Sequence, residues 1–187
     1  MGRIVDEATE EELGRLLNPI VLSGGIVGLL PYRHIVVRAL IIEAKFHKNQ
    51  RALSMLSRIL NEYLLAFIEE RSELAQSEAI LVAIPLGRAR RAERGYNQVE
   101  EVLRNITIIP VMTVLERTKE TAPQTKLARN ERLQNVVGAF EVSKPIDPDV
   151  LYIVVDDVTT TGATLQEACD TLRKAGVKEV YGVALAH

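Results

Sequence analysis

Two adjacent carboxylates followed by a threonine-rich loop are the residues of this sequence with the clearest chemical potential. The apolar run Leu151–Val155 predicts a short strand that is covered on both faces and ends at Asp156 and Asp157. The segment Thr159–Thr164 follows, with four hydroxyl groups and one glycine. A helix is predicted to begin at Thr164, which stands three residues before Glu167, as in a capping box.

This arrangement predicts a binding site for a sugar phosphate. A helix N-terminus offers unpaired N–H groups and a partial positive charge to an anion, and Gly162 lets the backbone approach it closely. The paired acids repel that anion, but beside it they can accept hydrogen bonds from a diol or help to hold a hydrated cation. The alternative is an ordinary strand-to-helix turn with two acids at its solvent edge.

Length and composition narrow the classes of protein. A chain of 187 residues is long enough for one domain with a full core, and its formal net charge of −2 gives no global reason to expect nucleic-acid binding. The single cysteine, Cys169, lies on the apolar face of the predicted helix, which favours a role in core packing. An acidic N-terminal segment and the lack of a long apolar run predict a cytoplasmic protein with no membrane segment.

The remaining periodicity predicts alternating helices and strands. A short helix is predicted from Thr9, with a capping box to Glu12, and a small hairpin within Ile20–Leu30. Further helices are predicted over Tyr32–Phe46 and Gln50–Leu74. Further strands are predicted over Ala79–Leu86, over Ile108–Leu115 with a break at Pro110, and over Val177–Ala186. The strand at Leu151, the helix after it and the last strand then form a βαβ unit, which indicates a parallel sheet.

A second cluster of interest is basic and follows the strand Ala79–Leu86. It contains Arg88, Arg90, Arg91 and Arg94. In an open α/β sheet ligands bind beyond the carboxyl ends of the strands, so a basic loop here can converge with the loop at Asp156. Guanidinium groups suit a pyrophosphate, although a cluster of arginines is also typical of a solvated face.

The segment Glu116–Arg132 loses apolar periodicity and predicts a long polar loop that includes Lys119. The two interpretations are an ordinary surface loop and a lid that closes over the site.

Four stretches carry a family resemblance. The strand, the two acids and the Thr-Thr-Gly-x-Thr loop resemble the signature of type I phosphoribosyltransferases, which binds 5-phosphoribosyl 1-diphosphate (PRPP). Residues Pro85–Gln98, with Arg-Gly-Tyr-Asn-Gln at their end, Lys45-Phe46 between two helices, and Gln124–Phe140 resemble the ComF family. The resemblance implies a type I phosphoribosyltransferase fold, an α/β fold with a mostly parallel central sheet flanked by helices and an N-terminal helical and hairpin segment. Residues 1–31 are then an N-terminal extension or hood-like segment, and residues 32–187 the phosphoribosyltransferase-like domain.

The resemblance also implies a reaction and a set of site residues. A glycosyltransferase of this type moves ribose 5-phosphate from PRPP to a nitrogen acceptor, here unidentified, and releases pyrophosphate with Mg²⁺ as cofactor. Asp156 and Asp157 then contact the ribose and hold Mg²⁺, in part through PRPP and water. The phosphate loop comprises Thr159, Thr160, Thr161, Gly162, Ala163 and Thr164, and the pyrophosphate loop comprises Leu86, Gly87 and Arg88. The catalytic residues that the resemblance implies are Asp156, Asp157, Arg88 and Lys119, of which Lys119 lies in the closing loop.

A second hypothesis comes from the same resemblance. ComF relatives are linked to DNA uptake, so the chain is alternatively a non-catalytic PRPP-binding or competence accessory protein that contacts single-stranded DNA or competence proteins. A homo-oligomer is expected in either case. The Cys-x-x-Cys zinc ribbon with which ComF proteins often begin has no counterpart in this sequence, and no residue here predicts which acceptor is used.

Overall fold

The centre of the fold is a five-stranded sheet in a computed structural model that describes residues 7–70, 78–119 and 136–187. Its strands are β1 (Ile20–Val21), β2 (Val27–Leu30), β3 (Ala79–Ala83), β6 (Leu151–Val158) and β7 (Val180–Ala186), in the order β1-β2-β7-β6-β3. β1 is antiparallel to β2, and every other neighbouring pair is parallel. A separate antiparallel pair joins β4 (Leu115–Arg117) and β5 (Phe140–Val142).

Helices cover both faces of this sheet, so the predicted α/β fold with a mostly parallel sheet flanked by helices is confirmed. They are α1 (Glu7–Leu16), α2 (Ile35–Phe46), α3 (Gln50–Glu70), α4 (Arg88–Arg94), α5 (Gln98–Arg104) and α6 (Ala163–Lys174). The predicted hairpin is β1 and β2, and β2 joins the main sheet beside β7. Among the helices of the described ranges, none is both long and apolar enough to cross a membrane.

The side chains of β6 alternate between two separate parts of the core. Leu151, Ile153 and Val155 pack with residues of α2, α3 and α5, whereas Tyr152 and Val154 pack with residues of α6 and β5. This alternation is the ordinary period of two in a strand that is buried on both faces. The same alternation determines on which face of the sheet each following side chain of β6 lies.

The predicted ends of two strands were wrong. β6 does not stop at Val155, because Asp156 and Val158 still pair with Ala184 and Ala186 of β7, so both acids belong to the strand. β3 is shorter than predicted and ends at Ala83. Carboxylates are uncommon in strands, but backbone pairing with an adjacent parallel strand outweighs that preference here.

The predicted start of α6 was also wrong. The helix begins at Ala163 and its N-cap is Gly162, so Thr164 lies inside it and forms no capping box with Glu167. The Glu167 carboxylate instead accepts a hydrogen bond from the backbone N–H of Gly138, at 2.8 Å. The C-terminal end agrees with prediction, since Gly176 has a φ of 108° and follows the C-cap Ala175.

Four other elements differ from prediction. The arginine cluster is the short helix α4 rather than a loop. The predicted strand over Ile108–Leu115 is interrupted at Pro110, as expected, and is reduced to a single bridge between Leu81 and Val111 and to Leu115, the first residue of β4. Pro110 has no N–H to extend the ladder. Two predicted helices begin elsewhere, since Thr9 lies inside α1 and α2 begins at Ile35.

The predicted lid lies mostly outside the described residues, and the structure describes only its first residues, in and after β4.

Candidate ligand-binding site

A cavity of about 830 Å³ lies beyond the carboxyl ends of β3 and β6. Its wall comes from the end of α2, the loop after β3 with α4, the start of α5, one residue of β4, and the loop that joins β6 to α6. Ligands of open α/β sheets bind at this edge, where loops from neighbouring strands converge. The volume is in the usual range for small-molecule sites.

Some of the predicted site residues line this cavity and others do not. In the wall are Leu86, Asp156, Asp157, Thr159, Thr160, Ala163 and Thr164. Thr161, Gly162, Gly87, Arg88 and Lys119 are not part of the wall. Arg88 is exposed, and the Lys119 ammonium donates a hydrogen bond to the carbonyl of Val137 at 3.4 Å. From α4, the arginines that do reach the wall are Arg90 and Arg94.

The threonine-rich loop is held in place by its own side chains. The Thr159 hydroxyl accepts a hydrogen bond from the Gly162 N–H at 2.9 Å, and the Thr161 hydroxyl accepts one from Ala163 at 3.4 Å. Gly162 has a φ of 77°, and a Cβ atom there would lie 3.2 Å from the carbonyl oxygen of Ser23. The hydroxyls of Thr159 and Thr161 therefore stabilise the turn, while Thr159, Thr160 and Thr164 line the cavity.

Asp157 is buried and surrounded by donors. Its Oδ2 atom lies 2.7 Å from the Nζ atom of Lys45 and accepts a hydrogen bond from the side-chain amide of Gln98. Its Oδ1 atom accepts from the backbone N–H of Val158 at 2.6 Å. Asp157 follows Val155 on the face of β6 that α2 and α5 cover, which explains why its partners come from those two helices.

Asp156 lies on the opposite face of β6 and has a different environment. Its Oδ1 atom accepts a hydrogen bond from the backbone N–H of Asp157 at 2.8 Å, and no described residue hydrogen-bonds to its Oδ2 atom. Burial is the main reason why the pKa of Asp156 is raised from 3.8 to about 7, and the charge of Asp157 raises it further. Lys45 and Arg117 oppose that shift.

Sequence comparison places these residues in a family. No family model matches the chain. Competence protein F of Haemophilus influenzae is 36% identical to it over 139 residues, 70% of this chain and 60% of that protein. Competence protein ComFC of Streptococcus pneumoniae is 32% identical over 149 residues, 76% of this chain and 66% of that protein. DNA utilization protein YhgH of Escherichia coli is 31% identical over 146 residues, covering 75% and 63%.

The chain belongs to the ComF family. It is thus related to proteins of competence and of DNA utilization, as the names of these relatives state. The chain spans between 60 and 66% of the length of these curated relatives.

The structure gives the Gly-Tyr-Asn-Gln motif of this ComF chain a physical role. Gly95 has a φ of 73° and ends α4, and the Tyr96 hydroxyl donates to the carbonyl of Ala44 at 2.6 Å. The Asn97 side chain caps α5 and donates to the carbonyl of Ile84 at 2.9 Å. The motif thus joins the ends of α2, β3 and α5, and it places Gln98 against Asp157. Sequence reasoning used the motif as a mark of the family and as the start of a helix, and it missed the contacts with Ala44, Ile84 and Asp157.

Basic and aromatic side chains complete the wall. The Arg94 guanidinium lies 5.3 Å from the ring centroid of Phe46, whose side chain is 55% exposed. The Nε atom of Arg94 is buried, and no described residue accepts a hydrogen bond from it. Arg117 approaches the cavity from β4, where it lies 5.4 Å from the ring centroid of Phe140. Basic residues thus reach the cavity from three separate elements, which suits a ligand with more than one anionic group.

Among the wall residues that were not predicted as site residues are Lys45, Gln98 and Arg117. Lys45 and Gln98 stand in stretches that carry the ComF resemblance, which is the signal that could have found them. For Arg117 the sequence shows only a basic residue in a polar segment, which does not by itself indicate a site residue.

The described residues fit a hydrated cation better than a directly ligated one. They include no group of three or more His, Cys, Asp or Glu side chains placed to hold a metal. The Oδ2 atom of Asp156 is without a protein partner in the described ranges, so it can accept from a metal-bound water.

Proposed function

We propose that this ComF family chain binds PRPP with Mg²⁺ and transfers its ribose 5-phosphate to a nitrogen acceptor, with release of pyrophosphate. The observation that carries the proposal is the presence of the acid pair, the threonine-rich loop and the arginines of α4 in the wall of one cavity. A sugar that carries anionic groups at both ends needs this combination of acceptors beside two anion-binding regions.

The loop that joins β6 to α6 receives the 5′-phosphate in this proposal. Thr160 and Thr164 lie in the wall, and the N-terminus of a helix of 12 residues adds a partial positive charge. The ribose hydroxyls then lie beside the acid pair, because a carboxylate accepts hydrogen bonds from a diol. Displacement at C1 develops positive charge on the ribose, and a carboxylate held nearby stabilises that charge.

The pyrophosphate group lies on the opposite side of the cavity, beside Leu86 and α4. Arg90 and Arg94 line that side, and the predicted residues Gly87 and Arg88 lie at the start of the same helix. Guanidinium groups form paired hydrogen bonds with phosphate oxygens. Bound Mg²⁺ supplies further neutralisation of the leaving group, held through PRPP and water beside Asp156 and Asp157. Lys119 acts from the segment that is proposed to close over the ligand.

The test is calorimetric titration of the protein with PRPP and Mg²⁺, followed by assays of pyrophosphate release with a panel of nitrogen bases. We expect saturable binding that is reduced at least about tenfold in Asp156→Asn, the size of effect of one lost charge-assisted hydrogen bond. Asp149→Asn is the matched control, because Asp149 is an exposed carboxylate outside the cavity wall. No binding by the wild-type protein would contradict the proposal.

The second candidate is a competence accessory protein that binds PRPP without turnover or contacts single-stranded DNA. The names of the relatives favour it, and so does the exposure of Arg88 and Arg91 on α4. Binding of PRPP without pyrophosphate release from any base would favour a PRPP-binding accessory protein. DNA binding that falls steeply with salt, and falls less steeply once Arg88 and Arg91 are replaced by alanine, would favour the DNA-contacting form.

A further inference from the structure

The two acids of β6 are neighbours in sequence but lie on opposite faces of the strand. We propose that they do different work: Asp156 receives the hydroxyl groups of the ligand, while Lys45 and Gln98 hold Asp157 as a fixed part of the wall. Lys45 is then a positioning residue. This inference rests on the proposed binding of PRPP, and it departs from the expectation that both acids contact the ribose.

The contacts of Asp157 leave it little capacity for a ligand. Both of its oxygens already accept hydrogen bonds, from Lys45, Gln98 and the backbone of Val158, and only 9% of its side-chain surface is exposed. A ligand hydroxyl would have to compete with a charged donor that is itself largely removed from water. Separating such a buried pair leaves two poorly solvated charges, which is costly.

The contacts of Asp156 leave one oxygen available. Its Oδ1 atom accepts from the backbone, and its Oδ2 atom has no hydrogen-bond partner among the described residues, although the side chain lines the cavity. An oxygen that faces the cavity without a protein donor can accept a hydrogen bond from a ligand. A sugar hydroxyl in the cavity supplies that donor without breaking an existing contact.

Lys45 is well placed to hold its partner. It lies in the last turn of α2, where a cation also interacts favourably with the helix dipole. The same end of α2 is anchored by the hydrogen bond from Tyr96 to Ala44, and Tyr96 is two residues before Gln98. The two donors that hold Asp157 thus come from helices that are themselves joined.

A double-mutant cycle tests this division of roles by titration with PRPP and Mg²⁺. Lys45→Met and Asp157→Asn should each weaken binding about tenfold or more, because each leaves one member of a buried pair without its partner. The double variant Lys45→Met/Asp157→Asn should bind more tightly than either single variant, since it leaves no unpaired charge. Lys45→Met/Asp156→Asn should show no such recovery.

Two controls separate positioning from folding. Lys45→Arg keeps the charge and should lose less affinity than Lys45→Met. Lys48→Met should bind as wild type does, because Lys48 is exposed, pairs with Glu101 and is not part of the cavity wall. Circular dichroism of each variant verifies that it is folded, and the cycle is also measured on the free energy of unfolding, where the double variant should again recover.

The outcomes separate this inference from the function on which it rests. Losses of binding that add up in Lys45→Met/Asp157→Asn would mean that Asp157 contacts the ligand itself, which overturns the inference alone. Unchanged binding in Lys45→Met would also overturn it. No binding of PRPP by the wild-type protein would overturn the proposed function and this inference together.

Discussion

The two sides of the cavity differ in how they are supported. The loop between β6 and α6 rests on the core: Thr159 and Ala163 are buried, and Gly162 lies against the backbone of Ser23. Helix α4, which faces it, has no buried residue. One side is therefore a rigid part of the fold, whereas the other is a short helix that can tolerate change. We expect substitutions to reveal this difference as a difference in stability.

The largest effect should follow substitution of Gly162 by alanine. Its φ of 77° is unfavourable for residues with a Cβ atom, and the added atom would lie 3.2 Å from the Ser23 carbonyl. We expect a loss of about 2 kcal/mol or more in the free energy of unfolding, measured by urea denaturation. Gly25→Ala is the control, since Gly25 has a φ of 75° with no atom near the added Cβ, and should cost about 1 kcal/mol. Equal losses of stability in the two variants would show that the contact of the added Cβ atom with the Ser23 carbonyl is unimportant.

The next largest loss of stability should follow substitution of Asn97. Its side chain caps α5 and donates a hydrogen bond to Ile84, just after β3. Asn97→Ala removes the N-cap of α5 and a buried hydrogen bond to Ile84, so we expect a loss of about 1–3 kcal/mol in the free energy of unfolding. Asn97→Asp keeps the capping oxygen but loses the donor, which separates the two contributions. If Asn97→Asp is as stable as wild type, the bond to Ile84 contributes nothing.

The pH dependence of stability should report on Asp156. Its pKa is about 7 in the folded protein and 3.8 ordinarily, so the folded state retains a proton that the unfolded state has lost. Stability from this group therefore falls as pH rises from about 4 to about 7. Replacement by asparagine should remove that decrease, so that the variant gains stability relative to wild type between pH 4 and pH 8.

The charges that face Asp156 are Asp157, Lys45 and Arg117, and all three are retained in Asp156→Asn. Asp149→Asn is the control for the general effect of removing a carboxylate. A constant difference in stability between Asp156→Asn and wild type across this pH range would contradict the raised pKa.

The smallest effect on stability should come from α4. Arg90→Ala and Arg91→Ala should each change the free energy of unfolding by no more than about 0.5 kcal/mol, because neither is buried and the contact of Arg91 with Glu100 is exposed. Their effects on PRPP binding should differ, since Arg90 lines the cavity and Arg91 does not. Equal affinities in the two variants would remove Arg90 from the proposed pyrophosphate side.

Sequence reasoning predicted the α/β fold class and singled out the residues between β6 and α6, because both depend on local patterns. The apolar run before Asp156 predicted a buried strand, and the threonines after it predicted an anion-binding turn. The end of β6 was missed because its last residues are held in the strand by backbone pairing with β7. Local sequence propensity contains no information about that pairing. The support of Asp157 was missed for a similar reason, since Lys45 and Gln98 meet it only through the packing of α2 and α5.

The burial of Cys169 has a practical consequence for all of these experiments. Its side chain is fully buried beneath α6 against Gly182, and burial raises the pKa of its thiol to about 12. Since the chain has one cysteine, a thiol reagent added to the native protein can react only after α6 separates from the sheet. The rate of that reaction is a direct measure of how often the helix that bears the threonine-rich loop opens, and it needs no added label.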